Sequence, residues 1–373
     1  MKPLSLVFVG LSITSSWGNG HATTYRALIR GLKALGHDVL FLERDVPWYA
    51  AHRDLADPDF CRVGLYRDLQ DLQRWRAEIV AADAVVLGSY VPDGVAVAEF
   101  LSWTATGVTA FYDIDTPVTL AKLGRGDFEY LDPAIIPRFD LYFSFTGGPT
   151  LRRLERDFGA RRAEALYCAV DESRYRPTGD EPRWDLSYLG TYSEDRQPTL
   201  QRLLIGPARR LPQCRFAVAG PQYPESVDWP GNVERVEHLP PEEHARFYGR
   251  SRFTLNITRA DMIAAGWSPS VRLFEAAACG CPIISDRWEG LTELLPDGRA
   301  LRVADTTDEI VSILTGMAEA ERVRMANEAR GIVLAAHTGK ARAEGLVNTI
   351  REVMTGCPTT SHEEDQTCET TLP

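Results

Sequence analysis

The sequence predicts an α/β protein of two parallel-sheet halves, and three observations point there. Apolar runs of four to seven residues alternate with segments of helical period, the pattern of strands buried on both faces between helices. The alternation stops over residues 171–183, a polar, aperiodic stretch that holds Pro177 and Pro182, and then resumes. The chain has 373 residues, 44% hydrophobic and 25% charged, which suits a soluble globular protein of two or three domains.

The elements follow in order. Leu4–Gly10 is a buried strand, and residues 11–20 form a loop rich in Ser, Thr and Gly. Tyr25, Leu28, Ile29, Leu32 and Leu35 then recur at i, i+3, i+4 and i+7, so a helix follows and stops at Gly36. Val39–Leu42 is the second strand and completes a β-α-β unit. Further strands are expected at Ala84–Gly88, Val108–Ile114, Leu141–Phe145 and Ala165–Val170. After the linker, strands are expected at Leu186–Leu189, Phe216–Ala219, Val233–Val236, Phe253–Ile257 and Pro282–Ser285, with helices near 198–210, 241–250 and 269–279. Helices from about Asp308 to Met354 close the chain. The expected organisation is a Rossmann-like half at 1–170, the linker at 171–183, a second Rossmann-like half at 184–356 with the closing helices, and a disordered acidic tail at 357–373. Ligands of such sheets bind at the carboxyl ends of the strands, here in a cleft between the halves.

Charge and composition exclude some functions. With 41 Lys+Arg against 52 Asp+Glu the net charge is −11 and no basic block stands out, so nucleic acid is not an expected partner. No apolar run approaches the ~18 residues of a membrane span. Met1 to Gly20 lacks a small-x-small cleavage site and reads as a first strand, not a signal peptide. The seven cysteines (Cys61, Cys168, Cys214, Cys279, Cys281, Cys357 and Cys368) are odd in number and form no C-x-x-C pairs. Cys279 and Cys281 read as small buried thiols in a helix–strand turn, and a reduced, cytoplasmic setting is expected.

The segment Asn256 to Glu293 is the richest in chemistry. Ser268 suits an N-cap and Pro269 the first helical position, which would leave the N–H groups of Ser270 and Val271 to cradle an anionic diphosphate. Glu275, further along that helix, could accept hydrogen bonds from ribose hydroxyls or be a plain helix acid. Arg272 could meet phosphate or be solvated. Asn256, Thr258, Arg259 and Asp261 fall at the end of a strand; Arg259 could neutralise a leaving diphosphate in place of a metal, or pair with Asp261. Asp286 could also line this site.

In the first half, Gly18-Asn19-Gly20-His21 joins strand to helix, where glycines allow close approach of a phosphate. The G-x-G-x-x-G spacing of dinucleotide sites is absent. His21 could be a base, a phosphate contact or a cap. Asp113 and Asp115 end a strand on one face, near the expected cleft, where they could deprotonate or position an acceptor hydroxyl. Asp115 could alternatively cap the turn into Thr116-Pro117. The pair is formally a D-x-D of the kind that binds manganese, which the two-halved layout argues against.

The run Gly266-Trp267-Ser268-Pro269-Ser270-Val271-Arg272-Leu273-Phe274-Glu275 through Gly280-Cys281-Pro282-Ile283-Ile284-Ser285-Asp286 resembles the group 1 glycosyltransferases of GT-B fold, and within them the spore maturation protein CgeB-like subgroup. Gly190-Thr191, His337-Thr338, Val170-Asp171 and Tyr175-Arg176-Pro177 support the resemblance, which covers nearly the whole second half. It implies transfer of a sugar from a nucleoside-diphosphate-sugar co-substrate to a small-molecule or glycan acceptor, with no further cofactor and no metal. It also implies that Glu275 meets the ribose and that Gly190, Thr191 and Arg196 meet the diphosphate. The pattern departs at Trp267, which stands where relatives carry a first Glu touching the donor sugar; a ring there could stack on the sugar or close a pocket. A nucleotide-sugar 2-epimerase and a non-catalytic nucleotide-sugar-binding protein use the same architecture and remain alternatives.

Overall fold

The structure is a computed structural model, and it describes residues 2–17 and 20–356. Gly18, Asn19, Cys357, Cys368 and the acidic tail, on which expectations were stated, lie outside the described residues. A run such as Leu6-Val7-Phe8-Val9 has no polar face to offer water, so it lies at the centre of a sheet covered on both sides. It forms the middle of β1 (Ser5–Gly10). The other strands of the first sheet are β2 (Asp38–Arg44), β3 (Arg62–Tyr66), β4 (Ala84–Gly88), β5 (Val108–Asp113), β6 (Leu141–Ser144) and β7 (Ala163–Ala165). The order is β3-β2-β1-β4-β5-β6-β7, all parallel. The second sheet holds β8 (Leu186–Leu189), β9 (Phe216–Ala219), β10 (Val233–Val236), β11 (Thr254–Asn256), β12 (Ile283–Ser285) and β13 (Arg302–Val303), in the order β10-β9-β8-β11-β12-β13 and again parallel. Strand order reverses direction between β1 and β4 and between β8 and β11. Those two switch points open crevices at the carboxyl edges, where the loops after β1, β4, β5, β8 and β11 gather.

Some elements differ from the sequence expectation. β3 was not expected because its burial alternates, with exposed Arg62 at one end and Gly64 packed under Trp75. β13 has two residues, too few to leave a pattern. The strand expected at Ala165–Val170 is β7, earlier and shorter, while Val170 forms a bridge with Thr338. The helix expected near 198–210 contains a wide turn at Gln201–Ile205. Pro207 has no N–H with which to close a regular turn, and the wider turn absorbs it.

The last helix, Gly339–Thr355, leaves the second half. Thr338 caps it by accepting from the Ala341 N–H, and it packs along the helix Gly20–Ala34. Two glycines permit the approach: a Cβ on Gly31 would lie 2.3 Å from the Gly339 carbonyl oxygen, and one on Gly339 would lie 2.1 Å from that of Ala27. Ala343, Leu346, Val347 and Ile350 join the core of the first sheet, and Arg162 binds Glu352 at 2.7 Å. The chain therefore crosses between the halves twice, side by side, where the Val170 N–H donates to the His337 carbonyl.

Candidate active site between the two sheets

Arg196 is the most unusual side chain at the end of the second sheet. It is 5% exposed, and one guanidinium nitrogen donates to the Thr191 carbonyl at 2.7 Å. Its Nε is buried without a partner. Burial lowers its pKa, and the fields of Arg272 and Arg259 add to the shift. Arg272 likewise buries an Nη1 without a partner, with its guanidinium 6.0 Å above the Tyr188 ring. Arg259 is exposed at the N-cap of the helix Ala260–Ala265, and of its two alternatives the pairing with Asp261 does not form. None of the three makes an ion pair among the described residues. With Ser270, Thr258 and Asp115 they line a cavity of about 250 Å3. A buried cation without an ion-pair partner, as Arg196 is, is costly, and an anion between the three arginines would relieve the cost.

The backbone beside this cavity is held by polar side chains. The helix runs Val271–Ala278 with Ser270 at its N-cap, two residues later than expected from Ser268 and Pro269. Ser268 is instead buried and accepts from the Thr146 hydroxyl of the first half at 3.2 Å. Ser270 does not cap with its own hydroxyl, which donates to the Asn256 amide oxygen at 3.0 Å. The Asn256 amide nitrogen donates to Ser285 at 3.0 Å and Thr258 at 3.2 Å, so both ends of the Asn256 amide are engaged and it positions Ser270. Asp286 accepts from the Thr258 N–H and hydroxyl, both at 2.9 Å, and shapes the same loop. The amino end of the helix, at Ser270 and Arg272, borders the same cavity and adds its partial positive charge. Gly190 continues the sheet by donating to Ala219, and exposed Thr191 follows it. Glu275 lies deeper, 5% exposed, beside Tyr175; burial raises its pKa, while a hydrogen bond from Tyr175 and the charge of Arg272 oppose the rise.

Trp267 is a wedge between the halves. Its φ is +40°, and a Cβ on Gly148 or Gly290 would lie 2.4 Å from its ring. Its carbonyl accepts from the Gly147 N–H at 2.9 Å, its own N–H donates to the Glu289 carbonyl at 2.6 Å, and its Nε1 donates to Glu293 at 2.6 Å. The ring is thus occupied by protein contacts from both halves.

Across the cavity the two acids part company. Asp113 is fully buried, where Tyr142 donates to it at 2.7 Å and Thr119 at 2.6 Å. Burial pushes its pKa up to about 6 against those hydrogen bonds. It cannot reach an acceptor, which corrects the expectation that both acids face the cleft. Asp115 lies one residue beyond the turn, half-buried, and lines the cavity; it makes no side-chain cap. Tyr90 donates to it at 3.3 Å. Burial raises the Asp115 pKa, with Tyr90 and Arg259 opposing. Tyr90 has φ +64°, a conformation rare outside glycine, and stacks on Tyr130 at 4.7 Å. The His21 ring meets its edge at 5.1 Å, and burial brings the His21 pKa down to about 4, so the imidazole is neutral at pH 7. Behind them Glu43, fully buried, ties down the loop after β1 by accepting from the N–H groups of Ile13 at 2.7 Å and Thr14 at 3.0 Å. A Cβ on Gly20 would touch nothing within 4 Å, so packing does not demand glycine there. Among the described residues no three His, Cys, Asp or Glu side chains are placed to hold a metal. Cys279 and Cys281 are buried thiols, that of Cys279 pushed up to about 12 by burial.

Residues 196–348 match the family described as glycosyl transferase-like, Glyco_trans_1_2. The chain carries a glycosyltransferase domain. Solved structures extend the likeness to nearly the whole chain. Sucrose-phosphate synthase from Thermosynechococcus elongatus is 14% identical with a TM-score of 0.65, covering 95% of this chain and 100% of that one. Anabaena Alr3699/HepE in complex with UDP and glucose is 14% identical with a TM-score of 0.63, covering 94% and 100%. An alpha-glucosyltransferase in complex with UDP-glucose and DNA is 11% identical with a TM-score of 0.66, again covering 94% and 100%. The fold is GT-B. No curated protein matches the chain.

Of the residues singled out in the sequence, Arg196, Arg259, Ser270, Arg272 and Asp115 come together around one cavity. Asp113, Asn256 and Ser268 support its walls instead. Tyr90, which donates to Asp115, and Glu43, which holds the loop after β1, are positions that sequence reasoning missed. Glu43 sits at the end of an apolar strand, and its full burial as an acid is visible only in three dimensions. Tyr90 left no signal, because its strain is a property of the folded backbone. Among the described residues no helix is long and apolar enough to cross a membrane.

Proposed function

We propose that the protein transfers a sugar from a nucleoside-diphosphate-sugar donor to an acceptor nucleophile in the interdomain cleft. The observation that carries this reading is the cluster of Arg196, Arg259 and Arg272, three cations without ion-pair partners at the amino end of a helix. The bond between the anomeric carbon and the β-phosphate oxygen breaks, and its electron pair leaves with the diphosphate. The guanidinium groups and the helix end stabilise that developing charge, so the protein supplies the positive charge itself and no metal is needed. The acceptor oxygen forms the new bond to the anomeric carbon and passes its proton to Asp115, which Tyr90 holds in place. Thr191 and Glu275 complete the donor side, with Glu275 receiving the ribose; Trp267 fixes the donor loop against the first half. Gly190 lets the chain pass close to the diphosphate, and His21 borders the acceptor side as a neutral imidazole.

Uridine diphosphate sugars are the first donors to test, since HepE and the alpha-glucosyltransferase are described in complex with UDP-glucose or with UDP and glucose. The Gly266–Asp286 motif supports placement in the CgeB-like subgroup, and a cytoplasmic setting accords with the free cysteines. We assign the donor side to residues 184–338 and the acceptor side to 1–170 with the last helix.

A panel of nucleotide sugars, incubated with and without acceptors and with EDTA, tests the reading. Release of nucleoside diphosphate that persists in EDTA is the expected result. Sugar isomerisation without release would make the protein a 2-epimerase. Binding without turnover would make it a non-catalytic member of the fold, a reading that Trp267 in place of the first Glu favours. Failure to bind any nucleoside diphosphate refutes the proposal.

A further inference from the structure

Beside the donor cavity lies a second and larger one of about 660 Å3. The two meet at Pro117 and Asp261, which line both. Its first-half wall is the helix Pro149–Phe158, which presents Arg152, Arg153 and Arg156. Its second-half wall is the short helix Ala260–Ala265, which presents Asp261. Three guanidinium groups therefore face one carboxylate, in a chain whose net charge is −11.

The neighbouring acids offset only part of the charge of this exposed wall. Asp157 lies 4.0 Å from Arg153 and 2.7 Å from Arg156, but these pairs are solvent-exposed and weak. Glu155 is engaged by the Ala163 N–H. Arg152 makes no ion pair among the described residues. A site for an uncharged sugar would offer an aromatic face and several carboxylates or amides to its hydroxyls. This groove is lined by no aromatic ring and one carboxylate, and its floor is Leu120, Ala121 and Ala264. Planar, multiply donating guanidinium groups match phosphate and carboxylate oxygens.

From this geometry we infer that the acceptor is anionic: it carries a phosphate or carboxylate group, which the Arg152–Arg156 wall holds while its nucleophile points past Pro117 toward the donor. The inference rests on the transferase reading above and deepens it by naming the acceptor's chemical class. Asp261, at the junction, would then keep the anionic group from sliding into the diphosphate cavity, so that donor and acceptor anions occupy separate arginine sets.

The test is calorimetric titration of the full chain with a hexose, a hexose 6-phosphate, a hexuronate, an alkyl phosphate and inorganic sulfate, each with and without UDP. The expected result is that an anionic sugar or the alkyl phosphate binds about tenfold or more tightly than the hexose. In R152S/R156S that preference should fall about tenfold, and UDP affinity should stay within about twofold. D261N, which removes the one carboxylate lining the groove among the described residues, should instead strengthen anion binding, and it keeps the test informative if the double variant folds poorly. A sugar phosphate that outbinds the alkyl phosphate identifies a soluble acceptor, and the reverse a lipid-linked one; both sustain the inference. Equal binding of hexose and hexose phosphate overturns it, as does an anion preference indifferent to the arginines. Sulfate binding as tightly as the sugar phosphate also overturns it, leaving anion adhesion only. Loss of UDP binding alone would sink the donor reading, while the arms without UDP still decide this one.

Discussion

Arg196→Met should make the protein without ligand more stable and its complex with nucleoside diphosphate weaker. The guanidinium is 5% exposed, its Nε has no partner, and the nearby charges of Arg272 and Arg259 repel it. Replacing a buried ion with an apolar side chain of similar length stabilises by about 1–4 kcal/mol where the ion lacks compensation. Against this stands the lost hydrogen bond to the Thr191 carbonyl, worth about 1–2 kcal/mol. The two ranges leave between a loss of about 1 and a gain of about 3 kcal/mol, centred on a gain of about 1 kcal/mol for the free protein. Donor binding loses a charged contact to phosphate and should weaken by about 2–3 kcal/mol, a factor of roughly 30–150. Urea denaturation with and without saturating UDP measures both terms, because the stabilisation by ligand follows its affinity. A free variant less stable than wild type by clearly more than about 1 kcal/mol would refute the account of Arg196 as a cation without an ion-pair partner. Equal stabilisation of both proteins by UDP would refute its place in the donor site.

Three further outcomes follow from the same site. Native Asp113 keeps its proton up to about pH 6, whereas the unfolded chain releases it near 3.8. Between those values the native state holds more protons, so the stability present below the lower value is lost as pH rises through the upper one, by about 3 kcal/mol in all. Asp113→Asn should remove this fall, and denaturation curves from pH 4 to 7 that keep it would exclude Asp113 as the source. Trp267→Ala should cost about 2–3 kcal/mol of stability, less than a fully buried tryptophan, and raise the donor KM more than it lowers kcat; Trp267→Phe should restore part of both, and a change in kcat alone would contradict the wedge. Glu275→Ala should weaken UDP binding by about 1–3 kcal/mol with Glu275→Gln weakening it less, and unchanged affinity for both would rule out the ribose contact.

Much of this was legible along the chain. Continuous apolar strands such as Leu6–Val9 and Phe216–Ala219 announce a parallel sheet because neither face can meet water. Arg196, Arg259, Ser270 and Arg272 were also legible, since each lies at a strand end or helix start, where the α/β architecture places ligands. Asp113 was not: alternation put it on a face with Asp115, but the strand ends between them and the turn rotates Asp115 into the cleft. Ser268 and Pro269 resembled a helix start, yet tertiary contacts with Thr146 moved the start to Ser270.

The sequence by itself determined the two-sheet architecture, the break at 171–183 and the basic residues beside the donor cavity, because periodicity and strand-end position are local properties. Tertiary structure alone decided which acid faces the cleft and where the last helix packs. It also decided that Trp267 is wedged between Gly148 and Gly290, and that three arginines stand together without ion-pair partners among the described residues. Each of these depends on which groups distant segments bring within a few ångströms of one another, and burial and unpaired charge acquire their energies only there.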